Sequence, residues 1–403
     1  MSASNRSASD WEERIRAELS RVVAEKRWRA PRSFDARGPV GTLEGAPGRV
    51  VSFASNDYLG LSAHPAVIRA AQEALDRWGA GAGASRLVTG SRPIHYELEE
   101  ALAEWKGTEA ALCFSTGFAA NLGVLSTLGA KAVRVFSDEL NHASIIDGCR
   151  LSRASLAVYR HQDLDHLEEL LGNVASDGAP TLVVTDTVFS MDGDAVCLDH
   201  LLPLCARHNV LVVLDEAHAV LGPHLPVGLQ PSGAPAPVVR VGTLSKTLGS
   251  LGGFVAASRD AVDLMINTAR PYIFSTAPTP ADAAASLAAL RVVRSVEGQG
   301  RIARLTSLVG QLVEAGLAPS GHPSPIVPVV LGSEERALAA SAELLEMGMW
   351  VPAIRPPTVP RGTSRLRVTL SAVHTDEDVQ RLILGLVDLR EKADTSISRS
   401  ALS

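Results

Sequence analysis

The strongest constraint on the fold comes from two short apolar runs, TLVVTD at 181–186 and VLVVLD at 210–215. Both are rich in β-branched residues, neither alternates polar with apolar positions, and each ends on an aspartate. A strand without alternation is buried on both faces, the usual situation in a parallel sheet covered by helices. Residues 110–114, 133–137 and 157–160 read as further strands, and segments of helical periodicity separate each strand from the next. The pattern predicts an α/β fold with a mostly parallel central sheet covered by helices. In such sheets ligands gather at the carboxyl ends of the strands. Asp186, Ser190, Asp215, His218, Thr243 and Lys246 all fall just past strand ends and so predict a single site.

The remainder of the chain is arranged around that sheet. Residues 10–30 place Trp11, Ile15, Leu19, Val22 and Val23 at helical spacing, and a Gly/Pro-rich connector follows to residue 48. A short strand over 49–54 opens into SNDYLGL at 55–61. Helices are expected over 64–78, 93–105 and 281–296, and a glycine-rich loop over 79–90. Strands at 326–331 and 366–370 indicate a smaller α/β domain. The expected division is a helical arm and connector (1–48), a large domain (49–290), a small C-terminal domain (291–392) and a polar tail (393–403).

Composition singles out one lysine. The 38 basic residues comprise 33 Arg and only Lys26, Lys106, Lys131, Lys246 and Lys392. Lys26 and Lys392 lie near the termini, and Lys106 and Lys131 sit among polar or turn residues. Lys246 alone follows a buried-looking strand, in VGTLSKTLGSLGG (241–253), where glycines let backbone approach a ligand closely. A lysine that acts as an amine nucleophile has to be partly desolvated. The plainer reading is a solvated loop lysine. The net charge of −6 argues against a nucleic-acid partner. The absence of an apolar run of about 18 residues argues against a membrane span, and with no apolar signal core the expected location is the cytoplasm. Cys113, Cys149, Cys197 and Cys205 form no CxxC pair and read as small core residues, with no metal site expected.

A lysine that generates a carbanion needs an electron sink, which pyridoxal 5'-phosphate supplies. The ring nitrogen of that cofactor requires a carboxylate, for which Asp215 is placed, and the ring needs a flat partner, for which His142 is placed. His218 and Ser190 suit its phenolic oxygen. Ser115 to Phe118, at a strand-to-helix passage, suit its phosphate together with Thr243 and Ser245. Each assignment has a plainer rival. Asp215 could cap a helix, His142 and His218 could be satisfied core histidines, and Ser190 could cap a turn. The DEAH tetrapeptide at 215–218 matches a helicase motif, but no GxxxxGK[ST] accompanies it.

Over residues 50–375 the chain resembles the α-oxoamine synthases, pyridoxal phosphate enzymes of fold type I. The matching segments are SNDYLGL (55–61), GASRLVTG (83–90), STGFAANLGVL (115–125), NHASIIDG (141–148), TDTVFSMDGD (185–194), VLDEAH (213–218) and TLSKTLGSLGG (243–253). The resemblance implies an aminotransferase-like fold and an acyltransferase that joins an amino acid to an acyl thioester with loss of CO2. It implies Lys246 as the Schiff-base lysine, Asp215 as the pyridine-nitrogen partner and His142 as the stacking residue. It places Ser190 and His218 near the phenolic oxygen, and Gly117, Phe118 and Thr243 around the phosphate. It also implies a homodimer, with Ser275 and Thr276 reaching the neighbouring subunit's phosphate. IRPPTVP followed by TSRLR, within 353–374, is similar to the branch that makes 8-amino-7-oxononanoate from L-alanine and a pimeloyl thioester in biotin synthesis. The acyl carrier there is coenzyme A or acyl carrier protein. By that resemblance Arg367 holds the amino-acid carboxylate, Asn56, Arg355 and Thr358 contact substrate, and Arg27 or Arg29 meets the distal carboxylate. The alternatives are a sister enzyme that uses glycine and a short acyl-CoA, and a catalytically silent subunit. Two segments depart from the family pattern, HAVLG (218–222) and LPVGLQ (225–230).

Overall fold

The computed structural model describes residues 8–25, 27–173, 178–224 and 236–400. Its central element is a seven-stranded sheet made of β1 (Ala110–Phe114), β2 (Arg134–Asp138), β3 (Ser155–Tyr159), β4 (Thr181–Asp186), β5 (Leu211–Asp215), β6 (Val238–Thr243) and β7 (Gly253–Ala257). The spatial order is β1-β7-β6-β5-β4-β2-β3. Pairing is parallel from β6 through β5, β4 and β2 to β3, whereas β7 runs antiparallel to both β6 and β1.

The lack of alternation in β4 and β5 has the expected cause. Leu182, Val184 and Val213 enter one apolar cluster with Val124, Leu125 and Ile145. Their neighbours Val183, Val212 and Leu214 enter a second cluster with Leu167, Leu201 and Leu204. Both faces of these strands are therefore core, and each such side chain contributes roughly 1.5–3 kcal/mol by leaving water.

β7 was hidden from the sequence reading, because Gly252 and Gly253 open it and read as loop. These glycines serve close packing instead. A Cβ on Gly253 would stand 2.4 Å from the Thr116 carbonyl oxygen, and one on Gly242 would stand 2.4 Å from the Phe254 ring. The loop expected over 79–90 also contains a wide helical turn of π geometry, Arg86–Gly90. Buried Arg86 anchors it through a bidentate pair with Glu99 at 2.7 and 3.0 Å.

By its internal contacts the chain forms two compact units, and their boundaries differ from the expected ones. One comprises Ser55–Val327 and Thr369–Ile383; the other comprises Met1–Ala54, Pro328–Val368 and Leu384–Ser403. Strands Phe34–Ala36 and Val40–Leu43, within the expected connector, join Arg49–Ser52 and Met349–Trp350 in one four-stranded sheet, so this segment groups with the 328–368 region. Residues 291–327 stay with the large unit. Helix Val296–Glu314 buries Leu305, Leu308 and Leu312 there, and Arg301 donates to the Leu59 carbonyl at 2.8 Å. The expected tail begins inside a helix, Asp376–Ser400. The N-terminal helix spans Ala8–Ala24, ending short of residue 30, and its stripe of Trp11, Ile15, Leu19 and Val23 is exposed. Cys197 is likewise exposed and not core, while Cys113, Cys149 and Cys205 are buried. Among the described residues no helix is long and apolar enough to cross a membrane, and no three His, Cys, Asp or Glu side chains are grouped to hold a metal.

Candidate active site

β4, β5 and β6 end side by side, with Asp186 in register with Asp215 and Asp215 in register with Val241. A cavity of about 250 Å³ opens at these carboxyl ends. Gly117, Phe118, His142, Asp215, His218, Thr243 and Lys246 all line it. Segments spread over 130 residues thus converge because every connection between parallel strands returns the chain to the same sheet edge.

Asp215 is buried, and no helix begins among the described residues 216–224 that follow it. Its carboxylate accepts from the Ala217 N–H at 2.9 Å and from Asn121 Nδ2 at 2.6 Å. The helix-cap reading of Asp215 is therefore excluded. Asn121 projects from helix Gly117–Leu128, donates also to Ser144 Oγ at 2.9 Å, and leaves its own amide oxygen buried without a partner. Sequence reasoning missed Asn121, although a polar residue inside the apolar stretch GFAANLGVL was a usable signal. Asp186 was placed in the region but given no role. Its carboxyl accepts the His142 N–H at 2.7 Å. Burial, reinforced by the neighbouring Asp215, raises its pKa well above the usual carboxylate range.

His142 caps helix Ala143–Ser152. Nδ1 accepts the Ser144 N–H at 3.3 Å and lies 2.7 Å from Ser144 Oγ. Burial lowers the pKa of its imidazole; Asp215 opposes that shift and Lys246 adds to it. The ring is thus neutral near pH 7, and an Nδ1 that accepts leaves the proton on Nε2. The Phe118 ring meets it edge-on, centroids 6.4 Å apart. His218 bridges two groups: Nε2 lies 2.8 Å from Lys246 Nζ, and Nδ1 makes a short bond to the hydroxyl of wholly buried Tyr58. That hydroxyl also reaches Asn56 Oδ1 at 3.2 Å.

At the other end of the cavity Thr116 caps helix Gly117–Leu128, its Oγ1 accepting the Ala119 N–H at 3.0 Å. Thr243 Oγ1 lies 2.7 Å from Ser245 Oγ. A Cβ on Gly117 would come within 3.2 Å of the Thr243 Cβ, so glycine permits this approach of helix start to strand end. Unpaired helix N–H groups beside hydroxyls form an anion cradle.

Other expected residues lie outside the cavity lining. Ser190 sits in the turn between Phe189 and Asp194. Ser275 and exposed Thr276 lie on a segment tied down by Ser115 Oγ, which donates to the Thr276 carbonyl at 2.8 Å. In the second unit Arg29 reaches Thr358 Oγ1 at 3.3 Å, and Arg355 reaches the Trp28 carbonyl at 3.4 Å. These contacts bring Arg29, Thr358 and Arg355 together. Arg27 pairs with Glu25 at 2.8 Å, and Arg367 is buried on strand Ser364–Thr369. Residues 225–230, one of the two departures from the family pattern, lie outside the described residues.

The geometry has known counterparts. A family model described as aminotransferase class I and II matches residues 48–386. The 8-amino-7-oxononanoate synthase of Anaeromyxobacter dehalogenans is 48% identical over 390 residues, 94% of this chain and 96% of that protein. The protein of the same name from Geobacter sulfurreducens is 45% identical, covering 92% of this chain and 96% of its own. Among solved structures, serine palmitoyltransferase from S. paucimobilis with bound PLP and myriocin superposes with a TM-score of 0.86 at 29% identity, covering 97% of this chain and all of that one. An 8-amino-7-oxononanoate synthase from Francisella tularensis gives 0.71 at 27% identity, covering 86% and 99%. The chain belongs to the class I and II aminotransferase family, as an enzyme of fold type I that uses pyridoxal 5'-phosphate.

Proposed function

We propose that this enzyme is an 8-amino-7-oxononanoate synthase. It condenses L-alanine with a pimeloyl thioester, on coenzyme A or acyl carrier protein, and releases CO2 and the carrier thiol, in biotin biosynthesis. The observation that carries this reading is 48% identity across 94% of the chain to a protein of that name, joined to a cavity in which Lys246, Asp215 and His142 converge.

The residues present fit pyridoxal 5'-phosphate. Asp215, buried and fixed by Asn121, is a carboxylate suited to keep a ring nitrogen protonated. The start of helix Gly117–Leu128, with Phe118 beside it and the hydroxyls of Thr243 and Ser245, suits a phosphate. His142 is the partner proposed for the ring face, and His218 and Ser190 for the phenolic oxygen. Ser275 and Thr276 are proposed to reach the phosphate of a second copy in a homodimer. When bound, the cofactor supplies an electron sink for negative charge at an amino-acid Cα.

The chain's own groups perform the rest. Lys246 would hold the cofactor, and its amine, beside His218, is placed to take the Cα proton and later return one. Asp215, as a carboxylate, would accept the hydrogen bond of the protonated ring nitrogen and so keep the proton there. His142, with its proton on Nε2, donates to the developing ketone oxygen as CO2 leaves. In the second unit Arg367 is proposed for the alanine carboxylate. Asn56, Arg355 and Thr358 are proposed as substrate contacts, and Arg27 or Arg29 for the distal carboxylate of the acyl chain. Support for these last assignments is the family resemblance of their segments.

The test is steady-state kinetics of the purified enzyme with L-alanine or glycine, each against pimeloyl-CoA and a short acyl-CoA. The expected result is a kcat/KM for alanine with pimeloyl-CoA at least about tenfold above every other pairing, the equivalent of ~1.4 kcal/mol. A preference for glycine with acetyl- or succinyl-CoA would transfer the enzyme to a sister activity.

A further inference from the structure

The turn that carries Ser190 is held from outside as well as by its own backbone. It closes with the Phe189 N–H to the Asp194 carbonyl at 3.0 Å and the Gly193 N–H to the Phe189 carbonyl at 2.8 Å. His161, two residues beyond β3, reaches it across the intervening strand β2. Its Nε2–H donates to the Asp194 carboxylate at 2.8 Å, and its Nδ1–H donates to the Asp138 carboxylate, at the end of β2, at 3.0 Å. The imidazole stands perpendicular to the Phe189 ring, centroids 4.3 Å apart.

Both ring nitrogens meet carboxylate oxygens, so both carry protons and the ring is a cation between two anions. Burial works against that charge, but the hydrogen bonds to Asp138 and Asp194 outweigh it and lift the pKa to about 10. Gln162 adopts a left-handed φ of 54°, a conformation non-glycine residues avoid. That conformation aims its backbone N–H at Asp138, at 2.8 Å, and its side-chain amide at Asp194, at 2.7 Å. Glu139 accepts the His161 N–H at 2.9 Å, and Asp138 also accepts the Leu140 N–H at 2.9 Å. On the far side of the turn the Gly193 carbonyl accepts the Ser324 hydroxyl at 2.9 Å. The charged groups and the left-handed Gln162 thus bear on the six-residue turn from outside it, through Asp194.

We infer that His161, pinned between Asp138 and Asp194, is a positioning residue that holds the Phe189–Asp194 turn so that Ser190 meets the cofactor's phenolic oxygen. The inference rests on the reading of Ser190 given above. Neither His161 nor Asp194 lines the cavity, so their effect has to travel through the turn.

Two measurements test it, on His161→Gln and on the gentler Asp194→Asn, with Ser190→Ala as reference. The first is hydrogen exchange of the cofactor-free protein. Both clamp variants should exchange the amides of 189–194 at least about tenfold faster, with Ser190→Ala near the parent. The second is the pH midpoint of the visible absorbance of the lysine-bound cofactor. Ser190→Ala should move it, His161→Gln should move it the same way, and the double variant should move it no further than Ser190→Ala alone. Unchanged exchange, or a midpoint moved by Ser190→Ala and by neither clamp variant, overturns the role of His161 alone. A midpoint that Ser190→Ala leaves in place overturns the reading of Ser190 itself, and the inference with it. If His161→Gln fails to fold, Asp194→Asn decides on the same criteria.

Discussion

Two lysines, one buried and one half-buried, lie on either side of the end of β5, and they have opposite surroundings. Lys106 is sealed in, 2.7 Å from the Glu216 carboxylate, which also takes Arg240 at 2.8 Å. Lys246 opens onto the cavity and meets the imidazole of His218. Successive residues direct the two: Asp215 faces the cofactor cavity, and Glu216 faces the ion cluster. The sequence reading placed Lys106 among polar and turn residues, yet it is nine-tenths buried. Lys106 is the more completely buried of the two, yet the half-buried Lys246 is the one that lines the cavity, so burial alone does not mark the reactive lysine. Burial lowers the pKa of Lys106 and Glu216 opposes that shift, whereas Lys246 stands at the cavity beside His218.

The contrast predicts a reversal of phenotypes. Lys246→Ala should lower turnover by at least about 1000-fold, the scale of a lost proton-transfer group, with little change in denaturant midpoint. Appreciable residual turnover would remove Lys246 from its assigned role. Lys106→Ala should do the opposite. It leaves Glu216 and Arg240 in a broken buried cluster, so unfolding should become easier by about 3–5 kcal/mol, while turnover per folded molecule stays within a few-fold of the parent. Equal losses of activity in both variants would erase the distinction.

Asn121→Ala sharpens the comparison on the Asp215 side. It strips one donor from a buried carboxylate, a change of about 1–3 kcal/mol. The loss should surface as weaker cofactor affinity, measured by equilibrium titration of the cofactor-free protein. Affinity equal to the parent would mean that Asn121 serves packing only.

The smallest effects concern pH. His95 and His142 have lowered pKa values, with burial the leading cause in both. Their unfolded forms take up protons below about pH 6.5 and the folded forms resist, so stability falls as pH drops through that value. His161 has the opposite sign. Its folded pKa of about 10 exceeds the unfolded value near 6.5. Its contribution is complete below about pH 6.5 and is lost as pH rises toward 10. Denaturant midpoints between pH 5.5 and 9.5 check both limbs, and an alkaline slope unchanged in His161→Gln would contradict the second.

Much of the site was legible because strand and motif residues are consecutive in the chain. Apolar runs ending at Asp186 and Asp215, STGF at a strand-to-helix passage and Lys246 after β6 each carry their local geometry with them, and a parallel sheet must bring such ends together. The resemblance of ordered motifs named the cofactor. Pairings across the chain were not legible. Asn121 meets Asp215 across 94 residues and Tyr58 meets His218 across 160. The strand partner of Arg49–Ser52 lies near residue 350. β7 was masked because glycine required for close packing looks the same as glycine in a loop. The sequence by itself determined the class of fold, the strand-end address of the site and the chemistry of its principal groups, all properties of short segments. Only tertiary structure decided which lysine is sealed in an ion cluster and which faces a cavity, which carboxyl has its pKa raised, and which histidine sits between two carboxylates. Those outcomes depend on neighbours a few ångströms away in space, and hydrogen bonding and burial act over that distance regardless of separation along the chain.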